Sequence, residues 1–363
     1  MRFLFVSYAS PGPLGPMAAW LARDRANQVI FAASRARQDC LIPRVQRVVM
    51  KKYQGSAAEN SDYLSLWDEA LRAGRSASAS LSIVRKSGFY PDMIFNASSN
   101  GIAMGARNIY PDVFRVNFLE DENFARPNQA FMRRSMQCLQ ILNYDLSFAF
   151  GASARLNYPK ELRGLIRIAP RMVDSAFFET NEPRPSNIVC IFCQNHEEDC
   201  ARLCLDLLGR LPYYLIVVVA ANSFVQRKLE SLLPASERLK IQTVHKQDIL
   251  KSLLKLCRLA VFPDNGGPIL EALGMGAPVM LADKKAVAAR GTLCLGGEDA
   301  ESRSATIARA LKNPEALLKK GREGREHVRE KYGADSVMPE FFEKTLKAYD
   351  EWKSEKRERQ DVP

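Results

Sequence analysis

The stretch LAVFPDNGGPILEALGMGAPVML, residues 259–281, holds the pattern that decides the fold. An apolar run that ends at Pro263 predicts a buried strand, and a turn rich in glycine follows it. Pro268 suits the first position of a helix, where its missing N–H is not needed, and we predict that helix at residues 269–275. Gly276 ends the helix, and a second apolar strand begins. Strand, turn, helix and strand form the repeating unit of a parallel α/β sheet.

The turn before this helix is suited to bind phosphate. Gly266 and Gly267 let a phosphate approach the backbone closely. The amides of Ile269 and Leu270 open the helix, where the helix dipole is positive. Glu271 lies one turn further on, and its carboxylate can accept both hydroxyls of a ribose. An ordinary strand, turn and helix without a ligand is the alternative, and a Gly-Gly-Pro sequence alone would favour it.

Both halves of the chain repeat the alternation of strand and helix. The first half opens with an apolar strand, a loop that contains Gly12 and Gly15, a helix and a second strand. The second half predicts five strands alternating with helices, and the polar, proline-containing segment 180–187 separates the two halves as a linker. We therefore predict an α/β protein with two Rossmann-like, doubly wound domains, at residues 1–175 and 186–335.

Residues 336–363 are predicted to form a separate C-terminal helix and tail. Phe342, Leu346, Tyr349 and Trp352 recur in it at helical spacing. A stripe with three aromatic side chains indicates packing rather than ligand binding. The N-terminal domain is the candidate surface against which this helix packs back.

The composition is that of an ordinary globular protein, with 47% hydrophobic and 26% charged residues. The apolar run at the N-terminus is too short for the core of a signal peptide. The longest apolar run, residues 213–221, falls well below the about 20 residues that a membrane-spanning helix needs. Eight cysteines lie mostly in apolar runs, which indicates reduced thiols. The expected location is the cytoplasm, with a peripheral position at the inner face of the membrane as an alternative.

The chain is basic, with a formal net charge of +11. Residues 1–90 alone hold 13 Lys and Arg against 6 Asp and Glu. Such a surface attracts polyanions such as an anionic membrane or phosphorylated substrates, unless the charge serves solubility alone. The sequence leaves both readings open, because it does not show whether these residues share a face. No nucleic-acid-binding module accompanies the charge, so nucleic acid is not an expected partner.

Four cysteines and one histidine have a spacing that is typical of metal sites. Cys190 and Cys193, however, fall on a predicted strand, where an offset of three residues places them on opposite faces. Cys200 and Cys204 share a helix face with several leucines, which is the pattern of a core stripe. We therefore predict that these residues and His196 hold no metal.

The glycine-rich stretch resembles the donor-domain signature of family-4-type GT-B glycosyltransferases. The signature is matched here by Gly266, Pro268, Leu270-Glu271-Ala272, Gly276 and Pro278-Val279. Weaker resemblances follow the family's order along the chain, from the N-terminal glycine loop through GFYPDMIF to the hinge segment LIRIAPRMVDSAFF. Together they extend the resemblance over about residues 1–330.

The resemblance implies two domains that face each other across a cleft. It also implies transfer of a sugar, with retention of configuration, from a nucleotide-diphosphate-sugar, a UDP-sugar in preference to a GDP-sugar. The acceptor would be a glycan, a lipid-linked sugar or a protein, and no tightly bound cofactor is implied. In the family, the glutamate that matches Glu271 binds the ribose, and Gly12 and Gly15 match the facing glycine loop. The turn with His245 and Lys246 matches one near the base, with a solvated loop histidine as the equally weighted alternative for His245, and Lys246 is also a candidate cation for the diphosphate.

Three positions depart from the family pattern. The family's second glutamate, which contacts the transferred sugar, is replaced by Pro263 with Asp264 beside it. The family's cations for the leaving diphosphate are missing at Gln194, which can bind the diphosphate by donating hydrogen bonds but carries no charge. Arg171 at the hinge is therefore a candidate replacement cation. The loop after the strand of PDMIF offers Asn96 and no titratable side chain. The predicted catalytic residues are therefore Asp264, Asn96 and Arg171.

These departures support a second hypothesis, a catalytically weakened GT-B relative that binds nucleotide sugars or acts as a scaffold subunit of a glycosylation complex. A third hypothesis is a sugar epimerase or phosphorylase of the same fold, although no lysine context for the phosphorylase's pyridoxal cofactor is visible. We prefer the transferase. In a retaining transferase the departing phosphate accepts the acceptor's proton, so no dedicated general base is needed.

Overall fold

The computed structural model divides the chain into two compact units. Unit 1 comprises Met1–Met172 and Val337–Pro363, and unit 2 comprises Val173–Ser336. The structure describes residues 1–10, 12–36, 41–51, 62–97, 101–119, 127–178, 186–194, 196–244, 247–264, 267–282, 290–297 and 299–360.

Unit 1 is built on a seven-stranded parallel sheet. Its strands are β1 (Arg2–Ser10), β2 (Gln28–Ala36), β3 (Val45–Val49), β4 (Met93–Ala97), β5 (Phe114–Leu119), β6 (Leu146–Ala149) and β7 (Ile166–Ile168). Its helices before residue 172 are α1 (Gly15–Leu21), α2 (Asp62–Lys86), α3 (Ile102–Ile109), α4 (Pro127–Asn143), α5 (Ala152–Leu156) and a 3₁₀ helix at Lys160–Leu165. The strand order is β3-β2-β1-β4-β5-β6-β7, so the direction of winding reverses between β1 and β4.

Alternating side chains give this sheet two different faces. On one face Phe5 stacks on Phe31 and Phe95, with ring centroids 5.7 and 5.0 Å apart. On the other face Leu4 and Ile94 pack in a cluster with residues of α2 and α3. Phe5, Phe31 and Phe95 are at most 1% exposed, so both faces are covered, as a parallel sheet requires.

Unit 2 is built on a six-stranded parallel sheet. Its strands are β8 (Ile188–Cys193), β9 (Leu215–Ala220), β10 (Leu239–Thr243), β11 (Leu259–Phe262), β12 (Val279–Leu281) and β13 (Thr292–Cys294). Its helices are α6 (Glu197–Arg210), α7 (Ser223–Leu232), α8 (Gln247–Leu256), α9 (Ile269–Gly274), α10 (Ala300–Leu311), α11 (Pro314–Tyr332) and a 3₁₀ helix at Ser175–Phe177. The order β10-β9-β8-β11-β12-β13 reverses between β8 and β11. The predicted α/β fold with two doubly wound sheets is confirmed.

The boundary between the units lies earlier in the chain than the predicted linker. Val173 and Phe177 are 2% and 3% exposed and belong to the same core cluster as Phe192 and Phe262 of unit 2. The apolar residues just before the polar segment 180–187 are thus part of the second core. Unit 2 therefore starts at residue 173, and not at residue 186.

The cysteines of β8 lie on opposite faces of its sheet, as predicted. Cys190 packs in the core with Phe192, and Cys193 packs on the other side with Cys200 and Cys204 of α6. A hydrogen bond with Cys200 and burial raise the pKa of the Cys193 thiol far above its ordinary value. Within the described ranges, no three His, Cys, Asp or Glu side chains are grouped so that they could hold a metal ion.

The C-terminal helix, α12 (Ala334–Gln360), belongs to unit 1 from residue 337 onward. The ring of Phe342 meets that of Phe3 edge-on at 5.7 Å. The rings of Tyr349 and Trp352 each meet Phe114 at 5.7 Å. The prediction that this helix packs on the N-terminal domain through its aromatic stripe is confirmed. Among the described helices, none combines the length and apolar character needed to cross a bilayer.

Candidate functional site

The carboxyl ends of β8 and β11 meet where the strand order of unit 2 reverses. Gln194 follows β8 directly, and Asp264 follows β11 after a proline. The backbone N–H of Gln194 donates to Oδ2 of Asp264 over 2.8 Å. Open α/β sheets bind their ligands outside the carboxyl ends of the strands at such a switch point. Two of the predicted site residues are thus in direct contact there.

Gly267 lies next to this pair. Its φ of +95° is in the region that L side chains rarely adopt. A Cβ at this position would lie 3.0 Å from Nε2 of Gln194 and 3.7 Å from the ring of Phe262. Backbone conformation and close approach therefore both require glycine here. The predicted site residues Gly266, His245 and Lys246 lie outside the described residues.

The start of α9 differs from the predicted geometry. Pro268 precedes the helix rather than opening it, with φ −83° and ψ 56°. These angles form an inverse γ-turn, in which the Ile269 N–H donates to the Gly267 carbonyl over 2.9 Å. The Ile269 amide was expected to hold phosphate, and this turn would have to open for it to do so. The Leu270 N–H is not part of this γ-turn, and its role as a hydrogen-bond donor to phosphate stays a prediction.

Helix α9 is six residues long, and α11 packs against it. Gly321 and Gly324 of α11 allow this close contact. A Cβ at Gly321 would lie 2.2 Å from the Gly276 carbonyl oxygen, and one at Gly324 would lie 2.6 Å from Cδ2 of Leu273. Sequence reasoning missed this support, although two glycines three residues apart inside a charged helical segment were a signal for it. Glu271 is half-buried in the first turn of α9, and its role towards a ribose stays a prediction.

Gly12 and Gly15 form the loop after β1, at the switch point of unit 1. Gly12 has φ +48°, and its carbonyl accepts the N–H of Gly15 over 3.2 Å. Gly15 is buried and begins α1. The loop therefore lies at the carboxyl edge of the sheet, where the sequence predicted it. Whether it contacts a ligand stays a prediction.

Asn96 was expected in a loop, but the structure buries it. Strand β4 continues to Ala97, and the Asn96 side chain is fully buried in the sheet. Its Nδ2 donates to Oη of Tyr144 over 3.0 Å, and that hydroxyl donates to the Ala103 carbonyl over 3.0 Å. Burial raises the pKa of the Tyr144 phenol, so it stays a donor at neutral pH. Asn96 thus joins β4 to α3 and to the residue that follows α4, and its catalytic role stays a prediction.

Arg171, the predicted replacement for the family's missing cations, is exposed in unit 1. It lies directly before the boundary with unit 2, to which Asp264 and Glu271 belong. Its catalytic role stays a prediction.

The bond between Asp264 and Gln194 leads to a first prediction. Replacing Asp264 with alanine leaves a half-buried N–H without this acceptor, so we expect the free energy of unfolding to fall by about 1–3 kcal/mol. Asp264→Asn keeps an acceptor oxygen and is expected to lose clearly less. Urea unfolding of the full chain, followed by circular dichroism, measures the loss in both variants. Glu237→Ala, at an exposed carboxylate, is the control. Equal losses for the alanine and asparagine variants would contradict this role.

Comparison with known proteins gives a partial family match. Residues 25–125 match the sequence profile of the glycosyl transferase family 4 group. The matched segment lies within unit 1 and ends after β5. A search of the curated proteins finds no significant match to the chain.

Solved structures match nearly the whole chain. Sucrose-phosphate synthase from Thermosynechococcus elongatus is 12% identical, with a TM-score of 0.68 over 96% of this chain and all of that one (100%). HepE from Anabaena, in complex with UDP and glucose, is 13% identical, with a TM-score of 0.65 over 95% of this chain and 99% of that one. UDP-GlcNAc 2-epimerase from Neisseria meningitidis, bound to UDP-GlcNAc, is 15% identical, with a TM-score of 0.61 over 95% and 100%.

At these identities the likeness establishes the fold and not the reaction. The two parallel sheets with their alternating helices match the architecture of these solved structures over nearly the whole chain. The chain therefore has the GT-B fold of two Rossmann-like units, and its residues 25–125 carry the pattern of the glycosyl transferase family 4 group.

Proposed function

We propose that this protein is a glycosyltransferase that takes its sugar from a UDP-sugar. The observation that carries the proposal is the switch point of unit 2, where Gln194, Asp264 and Gly267 meet at the start of the helix that holds Glu271. The family match of residues 25–125 supports the reaction class. Structures of HepE with UDP and with UDP-glucose support the choice of nucleotide.

Each residue of this cluster has a role in the proposal. Glu271 accepts the ribose hydroxyls, as in the family that the signature resembles. The backbone at Gly267 and the amide of Leu270 face the diphosphate, because the missing Cβ leaves room for its oxygens. The side-chain amide of Gln194, next to Gly267, adds a neutral donor. Asp264 fixes the backbone of Gln194 and contacts the sugar.

The leaving diphosphate sets the electrostatic requirement of the reaction. Negative charge develops on it as the bond to the sugar breaks, and aligned donors or cations stabilise that charge. Gln194 supplies hydrogen bonds without charge, so we propose that Lys246 or Arg171 supplies the cation. The diphosphate then accepts the proton of the acceptor hydroxyl, and the configuration of the sugar is retained.

We propose that unit 1 binds the acceptor, a glycan, a lipid-linked sugar or a protein. Its candidate ligand loop follows β1 at the switch point of the sheet, where Gly12 has φ +48° and Gly15 begins α1. The proposed location is the cytoplasm, with a peripheral position at the membrane as the alternative. No tightly bound cofactor takes part in the proposal.

Two other functions fit the same fold. A catalytically weakened relative that binds nucleotide sugars or serves as a scaffold is favoured by the departures at Pro263 and Gln194. A nucleotide-sugar epimerase is favoured by the fold likeness to UDP-GlcNAc 2-epimerases. Product analysis separates these functions from the transferase, because only transfer or hydrolysis releases UDP.

Ligand-dependent thermal unfolding tests the donor site. UDP and UDP-sugars, but not GDP-sugars, are expected to raise the midpoint temperature of the wild type. When the ligand exceeds its Kd about 100-fold, the free energy of unfolding rises by about 2.7 kcal/mol. Glu271→Ala removes the charge-assisted hydrogen bonds to the ribose hydroxyls, and because even one such bond is worth about 1.5–3 kcal/mol, its affinity for UDP is expected to fall by at least roughly tenfold. Glu237→Ala, an exposed carboxylate of the same unit, is the matched control.

The outcomes distinguish the three functions. Appearance of the sugar on an acceptor, together with UDP release that depends on Glu271, supports a transferase, whereas UDP release with free sugar alone does not. Binding without UDP release or conversion supports the scaffold, and interconversion of UDP-sugars without UDP release supports the epimerase. If no nucleotide stabilises the wild type, the donor site is refuted.

A further inference from the structure

A cleft of about 470 Å³ opens at the amino edge of the unit 1 sheet. Arg2 and Gln28 are register partners at the starts of β1 and β2, and Gln46 of β3 is the register partner of Ile30. Ile30 packs in one core cluster with residues of α2. Because side chains alternate between faces along a strand, Arg2, Gln28 and Gln46 share the face that α2 covers. We call this space the amino-edge cleft, and its lining includes Arg2, Gln28, Arg44, Gln46 and the turn at residues 87–89.

The charged side chains of the amino-edge cleft are cationic. Among the described residues that line it, Arg2 and Arg44 carry charge and none is acidic. Asp92 lies beside Arg2 but outside the lining, and its Oδ2 accepts the backbone N–H of Arg2 over 2.7 Å. Two guanidinium groups without a carboxylate between them favour an anion with several oxygens, such as phosphate, which arginine binds with two parallel hydrogen bonds.

Arg44 is held in a strained conformation. Its φ of +63° lies in the left-handed region, which glycine adopts at no cost and other residues rarely adopt. Nη1 donates to the Arg23 carbonyl over 2.8 Å, and this bond fixes the guanidinium. Within the described residues its other N–H groups have no acceptor, so they are available to a ligand. Strain of this kind persists mainly where a site needs the side chain, and here it keeps an arginine at a position suited to glycine.

The end of α2 gives these arginines an alternative role. The carboxyl end of a helix carries a partial negative charge, which attracts cations and opposes an anion. That end is already satisfied, because the N–H groups of residues 87–89 donate to carbonyls of its last turn over 3.0, 3.0 and 3.4 Å. Arg85 and Lys86 supply cations within the same turn. The helix therefore does not account for Arg2 and Arg44.

We propose that the amino-edge cleft binds a small anion that carries a phosphate group. The guanidinium groups of Arg2 and Arg44 hold the phosphate oxygens, and the side-chain amides of Gln28 and Gln46 donate neutral hydrogen bonds. The volume is in the range of sites for small metabolites. Open α/β sheets bind their substrates at the carboxyl edge, so this is a separate site for an effector. It holds or fails independently of the proposed transfer reaction.

Isothermal titration of the full chain with inorganic phosphate tests the proposal. The wild type is expected to bind phosphate, more weakly as sodium chloride is added, and to bind acetate much more weakly. Arg2→Gln and Arg44→Gln are each expected to lower the affinity for phosphate roughly tenfold or more, because each removes charge-assisted hydrogen bonds. The matched control is Arg25→Gln, at an exposed arginine outside the cleft, and it is expected to keep the affinity.

Arg44→Gly separates a role in binding from a role in folding. Glycine adopts φ +63° without strain, which offsets the lost hydrogen bond to the Arg23 carbonyl. The thermal midpoint is therefore expected to stay or rise, while the affinity for phosphate falls as in Arg44→Gln. A lower midpoint with unchanged affinity would show that Arg44 serves the fold alone and would overturn the proposal.

A variant of unit 2 separates this cleft from the donor site. Gly267→Ala alters the loop proposed to face the diphosphate, and it is expected to keep the phosphate binding of the cleft whether or not UDP binds. Loss of phosphate binding in Gly267→Ala, with retention in both glutamine variants, overturns the proposal. So does an equal loss in Arg25→Gln, equal binding of acetate and phosphate, or a wild type that does not bind phosphate.

Discussion

Replacing Phe341 with alanine is expected to destabilise unit 1 by about 3–5 kcal/mol. Phe341 is 5% exposed, and its ring lies 4.9 Å from that of Phe148 and 6.0 Å from that of Phe118. Both partners belong to the sheet, so the alanine variant leaves a cavity between α12 and β5 and β6. Domains are stable by only about 5–15 kcal/mol, so this loss is large. Truncation after Ser336 removes the whole aromatic stripe, and we expect unit 1 not to fold.

Tryptophan fluorescence during urea unfolding measures this effect in unit 1 alone. All three tryptophans, Trp20, Trp67 and Trp352, belong to unit 1. The matched control is Phe224→Ala, which truncates a phenylalanine that is 65% exposed in unit 2. The transition is expected to move to lower urea for Phe341→Ala and to stay in place for the control. The truncated chain keeps Trp20 and Trp67, and a cooperative urea transition of their fluorescence at the full chain's midpoint would show that α12 does not complete unit 1.

Replacing Gly267 with alanine is expected to weaken UDP binding by at least about tenfold. A non-glycine residue at φ +95° costs about 1–3 kcal/mol, and the new Cβ would also press on Nε2 of Gln194 at 3.0 Å. The loop relieves both by changing its conformation, which displaces the backbone groups proposed to face the diphosphate. Isothermal titration with UDP measures the loss.

Two glycine variants separate the causes of that loss. Gly88→Ala has nearly the same backbone strain, at φ +87°, but its Cβ meets nothing within 4 Å. Gly209→Ala lies in α6 with open space and adds helix propensity, so it is expected to stabilise by about 0.5–1 kcal/mol. Neither is expected to change UDP affinity. Unchanged affinity in a folded Gly267→Ala variant would remove this loop from the donor site.

Local patterns in the sequence predicted most of the architecture. Apolar runs and turn residues predicted the strand, turn and helix around Gly267, with the helix expected at residues 269–275 and observed at Ile269–Gly274. The edge strands β3 and β13 were not predicted. Both are short and half-exposed, so neither has the continuous apolar run of a central parallel strand.

The candidate site was less predictable, because its geometry depends on contacts between distant segments. Residue type and spacing placed Gln194, Asp264 and Gly267 at strand ends, and the structure brings them together. No local pattern tells that Asn96 is buried, because β4 is buried on both faces and gives no alternation to read. The γ-turn at Pro268 was not predictable either, because the proline ring fixes φ and leaves ψ open.

The division of the chain has a consequence for how the protein is made. A ribosome delivers the N-terminus first, and domains fold as their last residues emerge. Unit 2 is one continuous segment, Val173–Ser336, whereas unit 1 needs Phe341 and Phe342 from the end of the chain. Until unit 2 has been synthesised, the first 172 residues therefore lack α12, and part of their aromatic face stays uncovered. During that interval the nascent chain is open to aggregation and chaperone binding, and helix α12, translated after unit 2, ends it.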